Sequence, residues 1–266
     1  MPDTRPSAET PACYLHGLPG ASDAEWRIAF GERRPLPALI GIERLPALTP
    51  AGGYRDGVLI AFDAATAAAG GGPFRLVGFS LGAMAALHIA AARADQVSSL
   101  DLIAPAAPLQ LGDFLADMAG KPVFEAARAG KCRLALLTGI QSLGLRLAPK
   151  IVAGQLLASA PEAEQALMSD PARMAAFIHG MKQAIHGHPR AYRMELRAYV
   201  GDWSPILAQV KVPTRIWQGT VDTWAPPAMA DALASRLAGP SQVEWLEGLS
   251  HYGALCHALP RLLKDA

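Results

Sequence analysis

Short, nearly continuous apolar runs alternate along much of this chain with longer segments in which apolar residues recur at helical spacing. The helical pattern is clear at residues 58–68 and 81–93. Because strands that are buried on both faces read as continuous apolar runs, this alternation predicts an α/β fold, with a mostly parallel sheet covered by helices on both faces. The predicted strands are residues 12–15, 38–43, 74–79, 97–104, 214–219 and 242–246.

The alternation stops after Ala104 and resumes near residue 205. Between these points only helical patterns occur, over about 111–129, 131–147, 150–159, 162–168, 171–185 and 190–199. This arrangement predicts a helical cap at 105–204, inserted into a core formed by residues 1–104 and 205–266. The most apolar helical stretch, 134–147, is too short to span a bilayer, and we expect it to be a buried helix.

Composition narrows the possible functions. The 266 residues carry 24 Lys and Arg against 23 Asp and Glu, a net charge of +1, which gives no reason to expect nucleic acid or an anionic membrane as partner. The three cysteines are widely separated and lack metal-ligand spacing, so we expect reduced thiols in a cytoplasmic protein. Residues 1–10 lack the apolar centre of a signal peptide and are expected to be disordered.

The sharpest local feature is Gly78-Phe79-Ser80-Leu81-Gly82, where an apolar run stops at a serine and a helical pattern begins. A strand that turns directly into a helix strains the residue at the turn, and the close neighbours of that residue must lack bulk. Its side chain is then exposed at the carboxyl end of the strand, above a helix N-terminus that favours negative charge. The pattern predicts a nucleophilic Ser80, although a glycine-rich turn without chemistry would read the same.

A nucleophilic serine needs a base, and the base needs an orienting acid. In an open parallel sheet both belong on loops at the carboxyl ends of other strands. Asp222 follows the strand that ends at Gly219, and His251 follows the strand that ends at Leu246. The order Ser80, Asp222, His251 is the one that a serine turn of this kind uses. The alternatives to these roles are that Asp222 is only an Asx-turn residue and that His251 is only a surface or capping residue.

Asp101 is a rival of Asp222 for the role of the acid, and oxyanion donors complete the predicted site. Asp101 lies on the strand after Ser80, but within it rather than at its end, which makes it the weaker candidate. Removing one oxyanion donor typically lowers the rate about 10²–10³-fold, so a competent site needs such donors. We expect them to be the backbone N–H groups of Leu81, directly after the nucleophile, and of Leu18, after the first strand. His16, in the same loop, is expected to be structural.

Together, His16-Gly-x-Pro-Gly20, Gly78-x-Ser-x-Gly82, Gly219-Thr-x-Asp222 and Gly248-x-x-His251 resemble the α/β-hydrolase superfamily, in particular its capped serine esterase and proline-iminopeptidase-like branch. The resemblance covers roughly residues 12–104 and 205–266. It implies an acyl-enzyme mechanism without metal or cofactor, and a cap that shapes the pocket. Such families usually have two strands before the His-Gly loop. Since so little chain precedes the first strand here, we expect six strands or a reduced opening hairpin.

The expected activity is hydrolysis of a carboxylic ester, lactone or thioester of a small-to-medium hydrophobic molecule. Relatives that act on haloalkanes or epoxides need an Asp in place of Ser80 and are disfavoured. Two alternatives stay open. The same Ser80, Asp222 and His251 can serve carbon–carbon bond hydrolysis, perhydrolysis or lyase chemistry, or the chain is a low-turnover ligand-binding or receptor protein on the hydrolase fold.

Overall fold

A computed structural model describes residues 11–31, 39–49, 51–69 and 72–264. Within these residues, six parallel strands form one sheet in the order β2-β1-β3-β4-β5-β6. The strands are β1 (Ala12–Leu15), β2 (Leu39–Gly41), β3 (Phe74–Phe79), β4 (Val97–Ile103), β5 (Thr214–Gly219) and β6 (Ser241–Leu246). The predicted fold class is confirmed, and of the two expectations for the sheet the described residues show the six-stranded one. Residues 1–10 and residue 38, which carry part of the predictions, lie outside them.

The strand order positions the loops that matter for chemistry. From β1 the chain moves outward to β2 and then returns to β3 on the other side of β1, so the order reverses between β1 and β3. In open α/β sheets, ligands bind outside the carboxyl ends of the strands at such a reversal. Leu15 pairs with Gly78, and Phe79 pairs with Ile103, so the loop after β1 and the turn after β3 lie side by side.

Helices cover the sheet and fill the interval between β4 and β5, where the structure describes every residue and no strand occurs. The α-helices of the described residues are α1 (Ser22–Phe30), α2 (Gly53–Thr66), α3 (Gly82–Ala92), α4 (Lys121–Ala129), α5 (Lys131–Leu147), α6 (Pro149–Leu157), α7 (Glu162–Met168), α8 (Pro171–Met181), α9 (Pro189–Val200), α10 (Ala228–Ala234) and α11 (His251–Lys264), and a π-helical turn at Lys182–Gly187 follows α8.

Several predicted helices have different bounds in the structure, and two of these differences concern the surroundings of the predicted site. In place of one helix at 111–129, a short 3₁₀ turn at Leu115–Asp117 precedes α4, because the extended backbone of Met118 ends the turn and a new helix begins with Pro122 in its first turn. The closing helix, predicted from residue 255, begins at His251. His251 therefore lies in the first turn of a helix rather than on a free loop.

The prediction of a buried helix over residues 134–147 is wrong for one face of α5. Leu134, Thr138 and Leu145 are buried, whereas the opposite face exposes large apolar side chains. Apolar residues occur all round this helix, so its sequence does not reveal which face is covered. Within the described residues, no helix combines the length and hydrophobicity that a membrane crossing requires.

Candidate active site

Ser80 lies at the turn between β3 and α3 in a strained conformation. Its φ is 54°, in the left-handed region that side-chain-bearing residues rarely adopt. Its N–H donates to the Ile103 carbonyl at 3.0 Å, and its own carbonyl accepts from the Ala106 N–H at 3.2 Å. These backbone bonds to the end of β4 hold the strained turn in place, so the conformation does not depend on the Ser80 side chain.

The glycines on either side of Ser80 are required by close backbone approach. A Cβ atom on Gly78 would lie 2.9 Å from the Cα of Ala83. A Cβ atom on Gly82 would overlap the Leu15 carbonyl oxygen at the end of β1. The turn can therefore reach its position between β1 and α3 only if these two positions lack side chains.

Asp222 and His251 lie together at the carboxyl ends of β5 and β6. The His251 Nδ1 atom lies 2.8 Å from the Asp222 Oδ2 atom, and both side chains are buried. The second carboxylate oxygen, Oδ1, accepts from the N–H groups of Trp224 at 2.7 Å and Ala225 at 2.9 Å. Asp222 is thus both an Asx-turn residue and the partner of His251, and the turn fixes the direction in which its carboxylate points.

Aromatic rings hold the His251 imidazole. It stacks on Trp224 with 5.7 Å between ring centroids and 13° between planes. Phe79, directly before Ser80, lies 4.7 Å from the imidazole centroid, so the histidine packs against the turn that carries Ser80. Among the described residues, no hydrogen bond joins the Ser80 hydroxyl to the imidazole.

Asp101, the rival acid, is engaged elsewhere. It lies within β4, as predicted, and its Oδ1 atom accepts from the Trp217 indole N–H at 3.0 Å and from Arg215 Nε at 3.2 Å. These contacts satisfy the buried carboxylate within the sheet. The His251 imidazole has its carboxylate contact with Asp222 instead.

A cavity of about 390 Å³ lies beside Ser80. Leu18 and Leu81, the predicted oxyanion donors, both line it, and neither N–H donates a hydrogen bond within the described part of the chain. No described charged side chain lines the cavity. Apolar lining comes from the segment between β4 and β5, including Met118, Phe124, Leu137, Leu156, Met181 and Leu196.

Comparisons with known proteins agree with this architecture. No family model and no curated protein matches the chain. A hydrolase from Oleispira antarctica superposes with a TM-score of 0.63 at 15% identity, covering 97% of this chain and 92% of that one. MenH from S. aureus gives 0.63 at 17% identity, over 98% and 94%, and the esterase RhEst1 from Rhodococcus sp. gives 0.61 at 17% identity, over 98% and 90%. The chain has the α/β-hydrolase fold.

In this α/β-hydrolase fold, the buried carboxyl group of Glu25, on α1, holds the His-Gly loop in place. The Gly17 N–H donates to Glu25 Oε1 at 2.9 Å, and the Tyr14 hydroxyl donates to Oε2 at 2.5 Å. Burial raises the pKa of Glu25 to about 8, against the effect of these hydrogen bonds. Glu25 belongs to none of the predicted site motifs, although it shares the buried face of α1 with Ser22 and Ile28 at helical spacing.

A fully buried ion pair also holds the His-Gly loop in place. Arg44, after β2, places Nη2 2.7 Å from Oε1 of Glu195 on α9. Its Nη1 atom donates to the His16 carbonyl at 2.6 Å. His16 itself is buried, with Nδ1 2.7 Å from the Gly17 carbonyl, and burial together with nearby Arg44 places its pKa well below the usual range. These contacts agree with the structural role expected of His16.

A third buried carboxylate holds the turn that carries His251. Glu164, on α7, accepts the Tyr252 N–H at 3.0 Å and also accepts the Ser250 hydroxyl. The residues on both sides of His251 are therefore bound to a helix of the segment between β4 and β5. Burial raises the pKa of Glu164, and the nearby His251 opposes the shift. No sequence motif marks Glu164, because its partners lie far along the chain.

Proposed function

We propose that this α/β-hydrolase-fold protein is a serine hydrolase that cleaves a carboxylic ester, lactone or thioester of a small-to-medium hydrophobic substrate. The observation that carries the proposal is the buried Asp222–His251 pair, which packs through Phe79 against the strained turn bearing Ser80. A strained nucleophile, a base and an orienting acid are the parts that acyl transfer requires.

The proposed reaction begins with the His251 imidazole. It takes the Ser80 proton as the Ser80 Oγ atom attacks the carbonyl carbon of the substrate. Asp222 keeps the Nδ1–H tautomer and stabilises the imidazolium that forms. The N–H groups of Leu18 and Leu81 donate to the developing oxyanion. When the tetrahedral intermediate collapses, the leaving oxygen or sulfur takes the proton from His251, and water then releases the acid by the same steps.

We propose that residues 105–204 act as the cap of this enzyme and select its substrate. Core loops supply Ser80 and the oxyanion donors, while α4, α5, α6 and α9 supply much of the cavity wall. Since no charged side chain among the described residues lines this wall, it favours an apolar acyl or alcohol group over a charged one, because an unpaired charge would be desolvated there.

The similar structures leave the scissile bond open. They include esterases, an enzyme described as degrading N-acyl homoserine lactone, and a meta-cleavage product hydrolase, all under 25% identical to this chain. Likeness at this level supports the fold and not the reaction. The polar parts of the cavity, Gln141, Gln155, Ser159 and Tyr192, do not discriminate among these bonds.

An active-site label tests the proposal. A fluorophosphonate probe should modify the wild-type protein at Ser80, and labelling should disappear in Ser80→Ala. Ser159→Ala is the matched control, since Ser159 lines the same cavity but is not part of the turn that packs against His251. A panel of p-nitrophenyl esters should then show turnover that favours uncharged acyl chains. Labelling that persists in Ser80→Ala, or a preference for charged acyl groups, would contradict the proposal.

A further inference from the structure

The outward face of α5 carries a row of large apolar side chains that point into solvent. Leu136 is 68% exposed, Ile140 61%, Leu143 55% and Leu147 77%. Their spacing of four, three and four residues places them on one side of the helix, which we call the α5 stripe. Exposed apolar rows of this kind mark surfaces that bind a partner.

The stripe continues onto the next helix, where Ile151 of α6 is 63% exposed. The side of α5 opposite the stripe is the one that packs against the protein, since Leu134, Thr138 and Leu145 are buried. Covering the stripe would therefore leave the packing of α5 unchanged. The surface is available without any rearrangement of the fold.

The charge around the stripe indicates what covers it. Residues 126–161 contain five Lys or Arg and no Asp or Glu, although the whole chain is almost balanced at +1. All five cations are exposed, and none forms an ion pair within the described residues. They are Arg128, Lys131, Arg133, Arg146 and Lys150. Arg133 and Arg146 lie on α5 itself, on either side of the stripe, whereas Lys131 lines a groove with Leu134 on the packed side of the helix. Cations beside an apolar helix face are complementary to a surface that is both apolar and negatively charged.

We propose that the α5 stripe and Ile151 form a docking surface for an anionic lipid bilayer. The helix would lie in the interface, with its apolar face among the acyl chains and its cations near the lipid phosphates. A second copy of the chain fits less well. A two-fold contact through this face would bring the exposed cations of one copy close to those of the other.

Docking on this face would place the cavity at the lipid surface. Gln155 of α6 and Ser159, just after this helix, line the cavity and are also exposed, so the cavity reaches the protein surface there. Ile151 lies one helical turn from Gln155, on the same side of α6. A hydrophobic ester dissolved in the bilayer would then meet the cavity without crossing water. This consequence rests on the proposed function, whereas docking itself does not.

Vesicle co-sedimentation tests the docking surface. The wild-type protein should sediment with vesicles of equimolar phosphatidylcholine and phosphatidylglycerol, less so at high salt, and weakly with phosphatidylcholine alone. Replacing Leu136, Ile140 and Leu143 together by Ser should weaken binding at least about tenfold. Ile60→Ser is the matched control, because Ile60 is 59% exposed on α2, and it should bind as the wild type does.

Two charge variants test the contribution of the cations separately from that of the apolar stripe. Arg133→Gln and Arg146→Gln should each weaken binding to the anionic vesicles by about fivefold. Circular dichroism and turnover of a water-soluble ester should stay at wild-type values, since neither these residues nor those of the triple variant line the cavity.

Several outcomes would overturn the proposal. Wild-type protein that does not sediment with anionic vesicles, or a triple variant that binds them equally well, excludes lipid docking here. A dimer on gel filtration that the triple variant dissociates, without vesicle binding, would make this face an interface between copies. Ser80→Ala should bind vesicles as the wild type does, so failure of the proposed chemistry is distinguishable from failure of docking.

Discussion

The two sides of the site are held in place by different means. On one side, the turn at Ser80 is held by nearby glycines and by backbone hydrogen bonds to the end of the next strand. On the other side, the His-Gly loop and the turn at His251 are bound by carboxylates distant in sequence. Glu195 lies 151 residues from Arg44, and Glu164 lies 88 residues from Tyr252. The first side is therefore recognisable as a motif, whereas the second depends on helices elsewhere in the chain.

The largest expected effect comes from a substitution in the turn at Ser80, which is held by residues near it in sequence. Gly82→Ala should destabilise the protein by more than about 5 kcal/mol or prevent folding, because the new Cβ meets the Leu15 carbonyl, which belongs to the sheet. Gly139→Ala, on α5, is the matched control, since a Cβ there meets nothing within 4 Å. It should stabilise the protein by roughly 0.5–1 kcal/mol. Urea unfolding measures both, and equal stability of the two variants would contradict this account of the turn.

This contrast also explains how much the sequence predicts. β1, β3 and β5 have their predicted bounds, because strands buried on both faces leave continuous apolar runs. Asp222 and His251, predicted from their places after two strands, lie 2.8 Å apart, and their catalytic roles stay predictions. The start of α11 was placed too late, since the residue that accepts the Tyr252 N–H is Glu164, on another helix.

The sequence also does not predict which face of a helix is buried. An apolar pattern that runs round α5 is compatible with burial of either face, and only packing against neighbouring helices decides which one is covered. The balanced net charge of the whole chain conceals an acid-free stretch at 126–161, and the exposure of its cations depends on how the helices pack.

Variants of the buried Arg44–Glu195 ion pair test the side of the site that depends on distant residues, and the free energy of unfolding is measured first. Arg44→Met should cost about 3–5 kcal/mol, because it leaves the carboxylate of Glu195 buried without its partner. The double variant Arg44→Met, Glu195→Leu should recover much of that loss, since no unpaired charge remains. Turnover should stay low in the double variant, because the His16 carbonyl still lacks its donor. Chemical denaturation and ester kinetics measure the two effects, and full recovery of turnover would contradict a role for Arg44 in positioning the loop.

The smallest expected effect concerns Glu164, which binds both neighbours of His251. Glu164→Ala should lower kcat roughly tenfold, about 1.4 kcal/mol, with KM little changed, because the N–H of Tyr252 loses its acceptor and the imidazole is less firmly placed. Glu164→Gln should restore most of kcat, since its amide oxygen can still accept that N–H and the Ser250 hydroxyl can rotate. A purely structural role predicts a different result, in which Glu164→Ala lowers the unfolding midpoint but leaves kcat of the folded protein unchanged. Parallel kinetics and urea unfolding of the two variants decide whether the helices between β4 and β5 only cover the cavity or also position His251.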